Sequence, residues 1–192
     1  MATQLTQSFT VADLEALPED GNRYKLIGGE LFVSRAPRLF HQLSLKNILG
    51  PLFVFLEENP IGVVIPEPGV IFGEHDAVQP DIVLISAERF DEAVSPDGEL
   101  IAAPDLVIEI LSPDKQNARR DRELKRKLYA AHGVKECWIV DQLALRVEVY
   151  RLGPEGLKLA ETRDVGEQVT SPLLPGFSLP VAKIFKFSVS KR

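Results

Sequence analysis

Glu109 is the only charged residue in the run Leu106-Val107-Ile108-Glu109-Ile110-Leu111, and Asp81 opens a second apolar run, Ile82-Val83-Leu84-Ile85. Segments this apolar read as strands buried on both faces, where an unpaired ionised carboxylate costs several kcal/mol. Something must therefore answer Glu109: a metal ion, a basic side chain, or a proton taken up through a raised pKa. Asp81 lies 28 residues before Glu109, enough chain for the two to stand side by side on neighbouring strands. Asp105 lies only four residues before Glu109. Along one strand that is about 13 Å, too far to share an ion. The Pro-Asp step itself discriminates poorly, because it occurs at 80-81, 96-97, 104-105 and 113-114. Asp97 and Asp114 fall in an expected loop and at an expected helix start, where turn and capping roles explain them.

Two carboxylates converging from adjacent strand ends, together with a backbone carbonyl such as that of Ile110, suit Mg²⁺ (or Mn²⁺). That ion keeps its remaining octahedral positions for water and substrate phosphate. A metal so held activates water and stabilises charge on a phosphorus-centred transition state. The chemistry also wants a cation beside the water. Lys115 to Lys127 carries seven basic residues against two acidic ones, a local charge of +5 within a chain of net charge −6. The rest of the chain is then strongly acidic, which argues against indiscriminate coating of nucleic acid and suits one phosphate-gathering site; a solvated helix face is the plainer alternative.

The elements that must position these groups are legible from periodicity and punctuation. Thr10 caps a short helix through Leu17, and Tyr24–Ile27 and Glu30–Val33 flank Gly28-Gly29 as a β-hairpin. His41 to Glu58 has a helical apolar stripe with Pro51 as a kink point. Strands follow at Val63–Ile65, Val70–Phe72 and in the Asp81 and Glu109 runs, with a polar loop from Ser86 to Ala103. Asp114 to His132 reads as a helix stopped by Gly133; Glu136–Asp141 and Leu145–Arg151 resume the sheet before a Pro- and Gly-punctuated tail. The alternation gives one α/β (α+β) domain over residues 1–192 with a mixed sheet. Cys137 is the sole cysteine, which fits a reducing, cytoplasmic compartment, and the three histidines are not spaced like a zinc site. The apolar runs are too short to span a bilayer, so no membrane partner is expected.

The order Val78-Gln79-Pro80-Asp81, then Ala103-Pro104-Asp105-Leu106-Val107-Ile108-Glu109-Ile110-Leu111-Ser112-Pro113, then Arg120-Asp121-Arg122-Glu123-Leu124-Lys125 with Tyr129 and Gly133–Asp141, resembles the Uma family of endonucleases. Those belong to the PD-(D/E)XK, or restriction-endonuclease-like, superfamily. Tyr24–Leu31 and Ser171–Gly176 extend the likeness over nearly the whole chain. The resemblance implies a restriction-endonuclease-like mixed-sheet core flanked by helices, with an added N-terminal hairpin and C-terminal strands. It implies a divalent metal on Asp81, Glu109 and Ile110, DNA as substrate and a homodimer that cuts two strands.

There is one departure. The superfamily's lysine would stand two residues after Glu109, and Leu111 is there. A helical wheel leaves Lys125 and Lys127 both available, whereas the resemblance, through the spacing Asp121, Lys125, Tyr129, favours Lys125. Arg119, Arg120 and Arg122 are the phosphate-binding candidates. Glu30, His41, Lys127 and Tyr129 are possible auxiliaries, against plainer roles as hairpin residue, helix cap, surface lysine and helix-ordering ring. Cys137 and Trp138 read as core. The rival function is a noncatalytic nucleic-acid-binding or assembly module that keeps the nuclease fold.

Overall fold

The computed structural model describes residues 8–18, 20–111 and 118–187, with the backbone alone for 118–121. Six strands form the main sheet. They are β3 (Gly62–Pro66), β6 (Ile82–Ser86), β7 (Leu106–Ile110), β8 (Glu136–Asp141), β9 (Arg146–Gly153) and β10 (Gly156–Asp164), in the order β10-β9-β8-β7-β6-β3. Only the β7–β8 pairing is parallel, and it requires a crossover, supplied through helix α4 (Ala118–Ala131); the other pairs are antiparallel.

Period-two alternation splits the core across this sheet. Leu106, Ile108 and Ile110 of β7, with Trp138 and Val140 of β8, pack against Leu45, Ile48, Leu52 and Leu56 of helix α2 (Leu39–Glu58). Val107, Cys137 and Ile139 face the other way, toward Leu128 and Tyr129 of α4. Glu109 follows Val107 on that second face. By length and composition α2 could cross a bilayer, yet it lays its apolar stripe on the sheet as a core helix. Pro51 is accommodated inside it.

A second sheet has four strands, drawn from the N-terminal hairpin and the residues just before β6. It holds β1 (Arg23–Ile27), β2 (Glu30–Ser34), β4 (Val70–Gly73) and the three-residue β5 (Asp76–Val78). Gly28 and Gly29, at φ +57° and +77°, make the tight hairpin turn of β1 and β2. Thr10 caps α1 (Val11–Glu15) in a full capping box with Asp13.

The structure departs from the expected elements in the loop, in the tail and at the short strand β5, which the sequence did not suggest. The expected polar loop 86–103 contains a 3₁₀ turn, Ala87–Arg89, and the one-turn helix α3 (Phe90–Ala93). The expected tail holds the nine-residue β10, the pair β11 (Gln168–Val169) and β12 (Leu179–Pro180), and α5 (Val181–Ile184). These were hard to see because β10 buries Leu157 but leaves most of its remaining side chains to solvent, so its apolar alternation is weak. The expected start of α4, at Asp114, lies outside the described residues; the helix is seen from Ala118.

Candidate active site

Antiparallel register pairs Ile82 with Ile108, which puts Asp81 across from Glu109 one step further along. The two carboxylates, 5% and 7% exposed, thus meet at the end of the sheet where β7 finishes and β6 begins. Asp81 Oδ2 accepts the Ile110 amide at 2.6 Å, and His41 Nε2, from the first turn of α2, lies 3.2 Å from the same oxygen. Asp81 Oδ1 has Arg23 at 3.9 Å. Glu109 is answered from the other side of the sheet. Lys125 Nζ lies 2.6 Å from Oε2, and Tyr129, one helical turn later, donates its hydroxyl to Oε1 at 2.5 Å. Spacing of i,i+4 on α4 brings both groups onto the single buried carboxylate.

Burial pushes the Glu109 pKa up; Lys125 pulls it down, and the Asp81 charge pushes it up again. That last contribution is the electrostatic signature of two carboxylates sharing a site. Burial, with the Glu109 charge and hydrogen bond, also holds the Tyr129 phenol well above its ordinary range. Cys137 is raised chiefly by burial and secondarily by Glu109, so it stays a protonated core thiol.

Four residues around Asp81 escaped the sequence reading. Glu67 takes a left-handed backbone at φ +51°, uncommon for a residue with a Cβ. Its amide donates to the Asp81 carbonyl at 2.9 Å, and Gln79 Nε2 donates to the Glu67 carbonyl at 2.9 Å. Its carboxylate is held by Arg23 and by Gln42 Nε2. Strain of this kind is found where the surroundings over-determine a functional conformation. Separations of 25 and 44 residues to Gln42 and Arg23 leave no local pattern to find.

The remaining sequence candidates are placed as follows. Lys127 is exposed and pairs with Glu123 at 3.0 Å on the outside of α4. Arg122 bonds Glu148 and the Tyr150 hydroxyl, so its guanidinium is already engaged within the fold. Glu30 begins β2 and is exposed, in the smaller sheet rather than the one bearing Asp81 and Glu109. The side chains of Arg119 and Arg120 lie outside the described residues. Asp105, set aside on distance, is at the opposite end of β7, bonded by Ser86, Arg89 and Lys135.

Asp81, Glu109 and the Ile110 carbonyl are all oxygen donors, and the Asp81 charge raises Glu109 against the opposing pull of Lys125. Among the described residues no three His, Cys, Asp or Glu side chains form a closed cage. Two carboxylates and a carbonyl are the ligand type a hard divalent ion takes.

Residues 11–182 match the model of the Uma2 family, whose description reads "Putative restriction endonuclease". The chain belongs to the Uma2 family. A solved structure from Anabaena variabilis ATCC 29413, titled a putative nuclease belonging to DUF820, superposes with a TM-score of 0.74. The two are 23% identical over 92% of this chain and 97% of that one, a likeness that establishes the fold. No curated protein matches the chain. The mixed sheet flanked by helices that the sequence led one to expect is therefore present, in a fold shared with that nuclease-titled structure.

Proposed function

We propose that this Uma2 protein is a metal-dependent endonuclease that hydrolyses DNA phosphodiester bonds. Asp81, Glu109 and the Ile110 carbonyl would hold Mg²⁺ or Mn²⁺, which supplies charge neutralisation at phosphorus and a more acidic bound water. The observation that carries the reading is Lys125, which reaches Glu109 from α4 at 2.6 Å while Leu111 occupies the position of the superfamily's sheet lysine. A cation delivered to the same carboxylate from a helix supplies what the sheet lacks. In this role Lys125 orients the attacking water and stabilises developing negative charge, and Tyr129 fixes the Glu109 carboxylate in place. His41 and the Ile110 amide fix Asp81 in the same way. Arg23 stands beside Asp81, where a substrate phosphate would draw it off Glu67.

One observation favours the rival, a noncatalytic nucleic-acid-binding module: both Glu109 oxygens already accept hydrogen bonds, from Lys125 and Tyr129. Each oxygen keeps a second lone pair, so those bonds and an ion are compatible. Calorimetric titration of the purified chain with Mn²⁺, followed by Mg²⁺-dependent cleavage of plasmid and of linear DNA, separates the two. Saturable binding with cleavage is expected. DNA binding without cleavage on any form tried would establish the noncatalytic module.

A further inference from the structure

His41 touches Asp81 and also lines a cavity of about 320 Å³ walled by Phe40, Leu143, Leu145, Phe185 and Phe187, with Arg38 and Gln142 contributing polar ends. The cavity sits at the same end of the sheet as the acidic pair. Gln142 lies two residues beyond Val140, which pairs with Ile110. Its side chain is fixed: Nε2 donates to the Phe40 carbonyl at 2.8 Å and to Ser44 Oγ at 2.9 Å, leaving Oε1 as the end able to accept. Phe40 and Leu143 are 60% and 66% exposed, unusual for large apolar residues, and Arg38 is exposed beside them. The Phe40 and Phe187 rings meet at 5.4 Å between centroids, tilted by 36°, and together form an aromatic wall.

We propose that this cavity takes an unstacked nucleobase of a single-stranded DNA segment, next to the phosphate cut at Asp81 and Glu109. The inference rests on the nuclease reading above and adds where the substrate strand is gripped. Three features select this occupant. A flat aromatic face matches the Phe40 and Phe187 wall, and the size lies at the small end of ligand sites. Gln142 Oε1 accepts from a base N–H edge, while Arg38 at the mouth meets the attached phosphate. A chain of net charge −6 gains little from uniform attraction to phosphate, so stacking gives it an affinity that salt does not remove.

Trp138, the sole tryptophan, is fully buried, so Phe40→Trp adds an optical reporter at the cavity wall. In a Lys125→Met background with Mg²⁺, where cleavage is slow, a short oligodeoxyadenylate should quench that reporter, and a base-free (abasic) oligomer of the same length should not. Phe40→Ala, at an exposed position, should weaken single-strand binding about 10-fold or more, with a smaller effect on duplex, and Leu143→Ala should act in the same direction. Equal quenching by the abasic oligomer, or unchanged single-strand affinity in both alanine variants, would overturn the inference. So would a wild-type dimer in sedimentation that Phe40→Ala dissolves, since the occupant would then be a second copy of the chain. If duplex DNA still binds and is cut, only the base pocket falls. If the wild type binds no DNA of either form, the nuclease reading falls with it.

Discussion

Asp81 and Asp105 each follow a proline and each stand at the entry to a core strand, yet antiparallel pairing of β6 and β7 puts them at opposite ends of the sheet. Asp105 is a finished latch. Its carboxylate takes the Ser86 amide, Arg89 and Lys135, and its carbonyl takes the amides of Lys135 and Glu136. Burial pushes its pKa up, but those three donors outweigh it and bring the value down to about 2. Asp81 has the Ile110 amide and His41 on Oδ2 and only the more distant Arg23, at 3.9 Å, on Oδ1, and it faces Glu109 and helps raise it. The same dipeptide is thus a closed latch at one end of the sheet and half of a facing carboxylate pair at the other. A motif gains its meaning from what the fold sets opposite it.

The largest expected effect on ion binding sharpens this contrast at the Asp81 end. Asp81→Asn and Glu109→Gln should each weaken Mn²⁺ binding by about 10-fold or more in calorimetry, whereas Asp105→Asn should leave it unchanged. The amide replacements matter: Asp81→Ala would strand the buried Ile110 N–H, at a cost of about 1–3 kcal/mol, and confuse folding with function. Equal loss in all three variants would erase the distinction between the two ends.

At the latch the effect is on stability. A carboxylate lowered from its ordinary value to about 2 contributes stability above its unfolded pKa, and that contribution drains away as pH falls through the folded value. Wild type should lose about 2 kcal/mol between roughly pH 4 and pH 2 from this one group. Asp105→Asn should lose a comparable amount at neutral pH and show a flatter acid limb in denaturant titrations. An unchanged acid limb would mean the latch contributes nothing. The smallest effect lies on the outer face of α4. Lys127→Met, removing an exposed charge paired with Glu123, should lower DNA affinity a few-fold and reduce its salt slope by about one.

The sequence revealed the polar intruder in an apolar strand, and that signal led to Glu109 directly. Gly28-Gly29, the Thr10 cap and the α2 stripe located their elements because each rests on local chemistry. Strand pairing sense did not show, since β6 and β8 are equally apolar beside β7 yet run antiparallel and parallel to it. The clasp of Glu67, Arg23, Gln42 and Gln79 did not show either. It joins four separate segments, and its one local peculiarity, a left-handed Glu67, leaves no mark in residue type. Lys125 over Lys127 came from family resemblance, because a helical wheel places both at the rim of the stripe. The fold supplies the physical reason: Lys125 and Tyr129 share the face that meets Glu109, while Lys127 points to Glu123 and solvent.

The claim at the centre is that the site's lysine comes from a helix. Single-turnover cleavage at saturating protein, with wild type, Lys125→Met and Lys127→Met side by side in Mg²⁺, tests it most directly. Lys125→Met should cut at least about 10²-fold more slowly while Lys127→Met keeps its rate. Full activity in Lys125→Met, with the loss falling on Lys127→Met, would contradict the assignment.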